Sequence, residues 1–281
     1  MSDAVRALAG PHNFEQVPDH ALDGDDSVGA TTLGRRSPLD VEEGSVGPVG
    51  GAAPSSATFG SLFSGIGGMD LGLERAGWEC QWQVEIDPWR QWVLRKHWPG
   101  VAKYGDVREV DGHLGFVELI CGGFPCEDIS RAGRRAGIDG AKSGLWSEFH
   151  RIVRDVRPRF VLVENSTSLL VRGLDRITGD LAAIGYDSEW DCLPAAAFGA
   201  PHIRDRLYLL AYSGERRHRT PQETVFAGWS SSQLHAGWAR EPELERVADG
   251  IPNRLERSAA IGDACCPPVI EWIGRRLMEA A

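Results

Sequence analysis

From Thr58 onward, short apolar runs of strand length alternate with longer amphipathic stretches, the pattern of βα units that build a mostly parallel sheet. Six runs read as strands: TFGSLF, ECQWQVEI, FVELICGG, RFVLVEN, YDSEWDCL and RLYLLAY. Between them, MDLGLERAG, DPWRQWVLRKHW, SGLWSEFHRIVRDV and LDRITGDLAAIG read as helices, and PPVIEWIGRRLMEA reads as a last helix closing the chain. Residues 1–56 lack apolar periodicity, are rich in Gly, Pro, Ser and Asp, and end in GPVGGAAPSSA, so they read as a disordered acidic tail or linker. The polar, Trp-dotted stretch 213–250 reads as a loop-rich insert, which leaves 57–212 as the main body and 251–281 as a segment returning to it.

Composition changes this picture little. With 281 residues and 42% apolar content the chain can bury the core of one good-sized domain plus an appendage. A net charge of −10 argues against a nucleic-acid partner, which usually leaves a basic footprint. That objection weakens once the charge is located: residues 1–55 hold nine acids against three arginines, so −6 of the −10 lies in the tail. The body carries arginine clusters at 131–135, 151–159 and 204–219, and net charge neither supports nor excludes a nucleic-acid substrate. No run approaches the roughly 20 apolar residues that cross a bilayer, and the N-terminus has no basic start followed by an apolar stretch, so a cytoplasmic protein is expected. The six cysteines, Cys80, Cys121, Cys126, Cys192, Cys265 and Cys266, form no pair of C-x-x-C knuckles, so neither a zinc site nor a disulfide framework is signalled.

Several segments carry candidate chemistry. Phe63-Ser64-Gly65-Ile66-Gly67-Gly68 follows the first strand and opens a helix, where glycines permit a sharp turn and close backbone approach to a nucleoside. Tight turns need glycine anyway, so the loop alone leaves both readings open. Val84-Glu85-Ile86-Asp87 places a carboxylate at a strand's C-terminal edge, suited to a ribose hydroxyl pair, although Glu85 could equally serve the helix that begins at Asp87-Pro88. Gly105-Asp106-Val107 repeats the theme after a third strand region, as an acceptor for an adenine amino group or as a simple Asp turn. The sharpest local signal is Gly122-Gly123-Phe124-Pro125-Cys126, in which an apolar strand runs into a turn that presents a cysteine. Most cysteines are buried packing residues, but placement in a turn after a strand favours a nucleophile, provided that nearby cations or helix-terminal amides stabilise the thiolate. Val161-Leu162-Val163-Glu164-Asn165 ends a buried-type strand in a carboxylate and an amide, making Glu164 a candidate acid or a helix cap. Arg204 and Arg206 lie two apart, so that if extended they share a face and could fork onto a base or phosphate.

Taken together and in this order, these segments resemble the carbon-5 cytosine DNA methyltransferases, from about Thr58 to Tyr212 and again over about 247–278. The resemblance implies an α/β, Rossmann-like fold that uses S-adenosyl-L-methionine as co-substrate, with a small C-terminal recognition insert and no metal. It gives Phe63, Gly65, Ile66 and Gly68 the methionine end of the donor, Glu85 the ribose, and Asp106 with Val107 the adenine, with Ile86 a further donor-binding residue. Pro125, Leu145, Asp263 and Cys265 fall on further donor-pocket positions. The Pro-Cys loop falls on Pro125-Cys126, the Glu-Asn pair on Glu164-Asn165, and the Arg-x-Arg on Arg204 and Arg206, so the implied catalytic set is Cys126, Glu164, Arg204 and Arg206. At position 263 the family usually has Asn; Asp263 adds a negative charge beside the methionine end of the donor. The family's Arg-rich stretch before its last motif has no convincing match in ERVADGIPNRLERSAA. Only about 35 residues separate the Arg-x-Arg strand from the C-terminal segment, so any reader of DNA is compact, with Trp229, Trp238, Arg216, Arg217 and Arg219 as candidates.

The implied chemistry is what the substrate demands, because carbon-5 of cytosine is too electron-poor to attack a methyl sulfonium unaided. Addition of the Cys126 thiolate to carbon-6 activates it, Glu164 stabilises the charge developing at ring nitrogen 3 and the exocyclic amine, and Arg206 holds the carbonyl side. The target must be flipped out of the duplex to reach the pocket. Double-stranded DNA is the expected partner, with Arg131, Arg134 and Arg135 near its phosphates and a separately acting cognate restriction endonuclease as a second. An orphan or phage methylation role fits the same residues. A tRNA cytosine methyltransferase and a non-catalytic DNA- or donor-binding relative are the alternatives.

Overall fold

The computed structural model describes residues 57–110, 114–125, 145–214, 224–227 and 260–279. Outside them lie the acidic tail, the loop carrying Cys126, Arg131, Arg134 and Arg135, and nearly all of the 213–250 insert with its arginines and tryptophans. Seven strands form one sheet: β1 (Thr58–Leu62), β2 (Glu79–Val84), β3 (Ala102–Tyr104), β4 (Leu119–Gly122), β5 (Phe160–Ser166), β6 (Tyr186–Pro194) and β7 (Asp205–Ser213). Their order is β3-β2-β1-β4-β5-β7-β6. The pairs from β3 to β5 are parallel, and β7 runs antiparallel to both β5 and β6. Five helices follow the predicted stretches: α1 (Gly68–Arg75), α2 (Pro88–His97), α3 (Trp146–Val156), α4 (Leu174–Ala183) and α5 (Pro267–Glu279).

Two helical layers form because successive residues of a strand point to opposite faces. On β5, Phe160 and Leu162 join Met69 and Leu73 of α1, Leu94 of α2 and Ile270 and Ile273 of α5, whereas Val161 and Val163 join Phe149 and Ile152 of α3 and Ile177 and Leu181 of α4. β4 and the first four residues of β5 are therefore an unbroken run without polar side chains, as expected of parallel strands buried on both faces. The α5 helix docks on α1 through small residues: a Cβ at Gly72 would lie 2.5 Å from the Ile270 Cβ, and one at Gly274 would lie 2.8 Å from the Ala76 Cβ. Trp78 Nε1 donates to the Gly274 carbonyl at 3.0 Å. Val269, Ile270, Ile273 and Leu277 are fully buried there, each worth about 1.5–3 kcal/mol of transfer free energy.

This architecture makes one crevice. The chain leaves β1 towards β2 and β3, then crosses back to β4 and goes on to β5 on the other side, so the connections that follow the parallel strands β1 and β4 diverge and leave a crevice at their shared carboxyl edge. The strands approach closely at that point, where a Cβ on Gly122 would lie 2.3 Å from the Leu62 carbonyl oxygen.

Candidate active site

At the end of β1 the backbone turns with Phe63, Gly65 and Gly67 at φ 53°, 58° and 82°. Glycine tolerates this region; Phe63 does so at a cost, an arrangement that concentrates at functional sites. The turn is fastened by the Ser64 amide donating to the Val84 carbonyl at 3.0 Å. Glu85, just past β2, accepts from the Gly65 amide at 2.7 Å and from the Asp87 amide at 2.9 Å. Burial raises its carboxyl above the usual range, opposed by those two amides. Each oxygen retains a lone pair for a ligand hydroxyl. Asp87 caps α2, accepting from the Arg90 amide at 2.8 Å, with Pro88 in the first turn.

Next to Glu85, Ile86 leaves 61% of its surface exposed, an open apolar contact in a polar rim. Val107 and Leu145 add to that wall of the cleft. Asp106 accepts from Arg108 Nε at 2.9 Å and from the Arg108 amide at 2.9 Å. The Arg108 hydrogen bonds hold its carboxyl below the usual range, so it stays a charged acceptor.

Across the switch point stands a second group of polar side chains. Glu164, near the end of β5, is 7% exposed and pairs with Arg206 Nε at 3.1 Å. Burial raises its carboxyl pKa, outweighing the lowering by Arg206, Arg204 and a hydrogen bond with the Cys265 thiol. Gly123 makes room for it: a Cβ there would lie 2.8 Å from Glu164 Oε2. Asn165 Nδ2 donates to the Phe124 carbonyl at 3.2 Å, tying β5 to the turn that ends in Pro125. Arg204 precedes β7 at φ 37°, so the stretch is not extended there and the two arginines diverge. Its guanidinium donates to the Gly262 and Ala264 carbonyls at 2.8 and 2.7 Å.

All these groups open on one cleft of about 690 Å³. It is lined by Phe63, Gly65, Gly68, Glu85, Ile86, Asp106, Val107, Pro125, Leu145, Glu164, Arg204, Arg206, Asp263 and Cys265. Ile66 packs beneath it, 5% exposed, in the core with Met69. Cys126 lies outside the described residues, immediately after Pro125. Sequence reasoning missed Arg90 and Arg108, whose side chains also line the cleft. Arg108 was within reach of inspection, being two residues from Asp106; Arg90 was not, because its partner Asp263 is 173 positions away. Among the described residues no cluster of His, Cys, Asp and Glu is placed to hold a metal, and no helix is long and apolar enough to cross a membrane.

Under the cleft floor, Asp70 is fully buried, accepting from Ser61 Oγ at 3.1 Å and Gln83 Nε2 at 2.8 Å. Burial, against the opposing pull of Gln83 and Ser61, raises its pKa from 3.8 to about 6. The folded state thus binds this proton more tightly than the unfolded chain. Its contribution to stability is full below pH 3.8 and is lost as pH rises through about 6, by about 3 kcal/mol. Asp70→Asn is expected to remove that dependence. Thermal denaturation from pH 4.5 to 7.5 should show the variant gaining on the wild type as pH rises, and parallel curves would refute the assignment.

The sheet order, the antiparallel β7 and a nucleoside-sized crevice at the carboxyl ends of β1, β2 and β4 define a Rossmann-like methyltransferase fold. Residues 57–242 match the family model for the C-5 cytosine-specific DNA methylases, and the chain belongs to that family. It is 35% identical over 210 residues to Type II methyltransferase M2.BsuMI of Bacillus subtilis, covering 72% of this chain and 49% of that protein. It is 32% identical over 217 residues to Type II methyltransferase M.NgoFVII of Neisseria gonorrhoeae, covering 70% and 58%. The chain thus spans about half the length of the curated relatives it matches. In fold it is similar to the crystal structure of S. pombe Dnmt2 methyltransferase, with a TM-score of 0.50, 20% identity, and coverage of 62% of this chain and 56% of that one.

Proposed function

We propose that this chain methylates carbon-5 of cytosine in double-stranded DNA, with S-adenosyl-L-methionine as donor and Cys126 as nucleophile. The observation that carries the reading is the Glu164–Arg206 pair at 3.1 Å, which shares its cleft with Glu85, Asp106 and Pro125. One end of the cleft suits a nucleoside and the other a polar heterocycle.

The cleft fits the donor by the chemistry of its walls. Glu85 offers acceptor lone pairs for a ribose, Asp106 a charged acceptor for an amino group, and Ile86, Val107 and Leu145 an apolar wall for a base. The loop at Phe63, Gly65 and Gly68 would hold the amino-acid end. When bound, the donor supplies an electrophilic methyl group.

The protein's own residues would then act on a cytosine flipped out of the duplex. The Cys126 sulfur forms a bond to carbon-6, and the carbon-5–carbon-6 π electrons move into the ring. Glu164, whose carboxyl burial shifts towards the protonated form, donates to ring nitrogen 3 and accepts from the exocyclic amine. Arg206 holds Glu164 in place and faces the carbonyl side of the base. Carbon-5 takes the methyl group as the methyl carbon–sulfur bond breaks and its electron pair passes to the sulfonium sulfur, which leaves as a neutral thioether; loss of the carbon-5 proton to a base then expels the Cys126 thiolate by elimination and restores the ring. The naming of relatives as Type II methyltransferases favours a role beside a separately acting restriction endonuclease in the cytoplasm.

The test is transfer of labelled methyl from the donor into duplex DNA and, in parallel, into tRNA. Label at carbon-5 of cytosine in DNA is expected. Label confined to tRNA would move the substrate to RNA, and donor binding with transfer to neither would leave a non-catalytic binding protein.

A further inference from the structure

The segment Gly262–Cys265 forms one rim of the cleft and is held from three sides. Arg204 grips two alternate carbonyls, Gly262 at 2.8 Å and Ala264 at 2.7 Å. Gly68 of α1 lets the Cys265 carbonyl approach, since a Cβ there would lie 2.7 Å from that oxygen. Between the gripped carbonyls, the Asp263 side chain reaches across to α2, where Arg90 Nη2 donates to Oδ2 at 2.6 Å. Arg90 and Asp263 both line the cleft. Arg90 is also close enough to Glu85, and Asp263 to Glu164, for their charges to act on those carboxyls. The pair therefore lies between the two ends of the cleft.

Position 263 places a carboxylate on the rim of the cleft, and Arg90 answers its charge. A lone carboxylate beside the donor's amino-acid end would alter the charge of the site; paired with Arg90 it is neutralised and becomes a crosslink between α2 and the C-terminal segment. We propose that Arg90 and Asp263 form a charge latch that straps the C-terminal segment across the cleft and sets how tightly the methyl donor is retained, an inference that rests on the donor-binding reading above. Both are positioning residues, acting through the segment they fasten. The latch is salt-sensitive, because Asp263 is 65% exposed and Arg90 23%, and exposed charges are screened.

The test measures donor affinity by calorimetry together with amide hydrogen exchange over residues 260–266 in the ligand-free protein. Arg90→Ala and Asp263→Ala are each expected to weaken donor binding about three- to fivefold at low ionic strength, the ceiling for a pair this exposed. The loss should vanish near 1 M salt, where the Debye length is about 3 Å. Exchange over 260–266 should quicken in both variants. The double alanine variant should bind no worse than either single one, and the swap of Arg90→Asp with Asp263→Arg should restore binding to within about twofold. Single variants that bind and exchange like the wild type would overturn the latch, as would double-variant losses equal to the product of the two single losses. A wild type that binds no donor would instead overturn the proposed function, and with it the latch's role in donor retention.

Discussion

Cys126→Ser is expected to cut methyl transfer into DNA by at least about a thousandfold while leaving donor affinity within about twofold. The size follows from acidity. A thiol near a cation or a helix terminus is substantially thiolate at neutral pH, whereas a serine hydroxyl is almost never ionised, and removing a nucleophile costs factors of this order or larger. The selectivity follows from the cleft. The groups placed for the donor, Glu85 and Asp106, follow β2 and β3, whereas Cys126 follows β4 on the other side of the switch point. Donor contacts can therefore survive the loss of the thiol. Labelled transfer and calorimetric donor binding on the same preparation decide the matter. A serine variant that kept a tenth of the activity would show that carbon-6 is activated by some other group.

Much of this arrangement was legible because it depends on local patterns. β4 and the first half of β5 are buried on both faces, so each appears as an apolar run, β1 and β2 show through Phe59, Leu62, Trp82 and Val84, and α3 and α4 show apolar residues at helical spacing, as with Leu174, Ile177 and Leu181. β3 was not among the six predicted strands because it is three residues long and partly exposed, held by β2 rather than by its own composition. The reversal of β7 was equally invisible, since the alternation of a strand is the same in either direction. In the site, Glu85, Asp106 and Glu164 could be named because each follows a strand at an edge where the fold puts ligands. The pairing of Arg90 with Asp263 could not, because it depends on α5 docking against α1 through Gly72 and Gly274, far apart in the chain. The two arginines of the Arg-x-Arg show the limit of spacing arguments. Their separation suggests one face, but the left-handed backbone at Arg204 turns one guanidinium to the C-terminal segment and leaves the other with Glu164.

Glu164→Gln should lower turnover by about 10²–10³, within the usual cost of losing a general acid, and should also change the shape of the pH profile. Glutamine keeps an N–H for ring nitrogen 3 and an oxygen for the exocyclic amine, so it preserves the neutral hydrogen bonds and removes only the transferable proton. In the wild type, burial raises the Glu164 carboxyl above the usual carboxylate range. The protonated form is then available below that raised value and is lost as pH increases through it, which places a descending limb on the alkaline side of kcat/KM. The thiol imposes the opposite limb, because the thiolate grows with pH. The product is a bell for the wild type. In Glu164→Gln the descending limb should disappear and the rate should rise to a plateau as Cys126 ionises. A pH profile of methyl transfer for both proteins distinguishes this from a simple packing defect, which would scale the whole curve without changing its form. Retention of the descending limb in the glutamine variant would assign that ionisation to another residue and reduce Glu164 to a neutral hydrogen-bonding partner of the base.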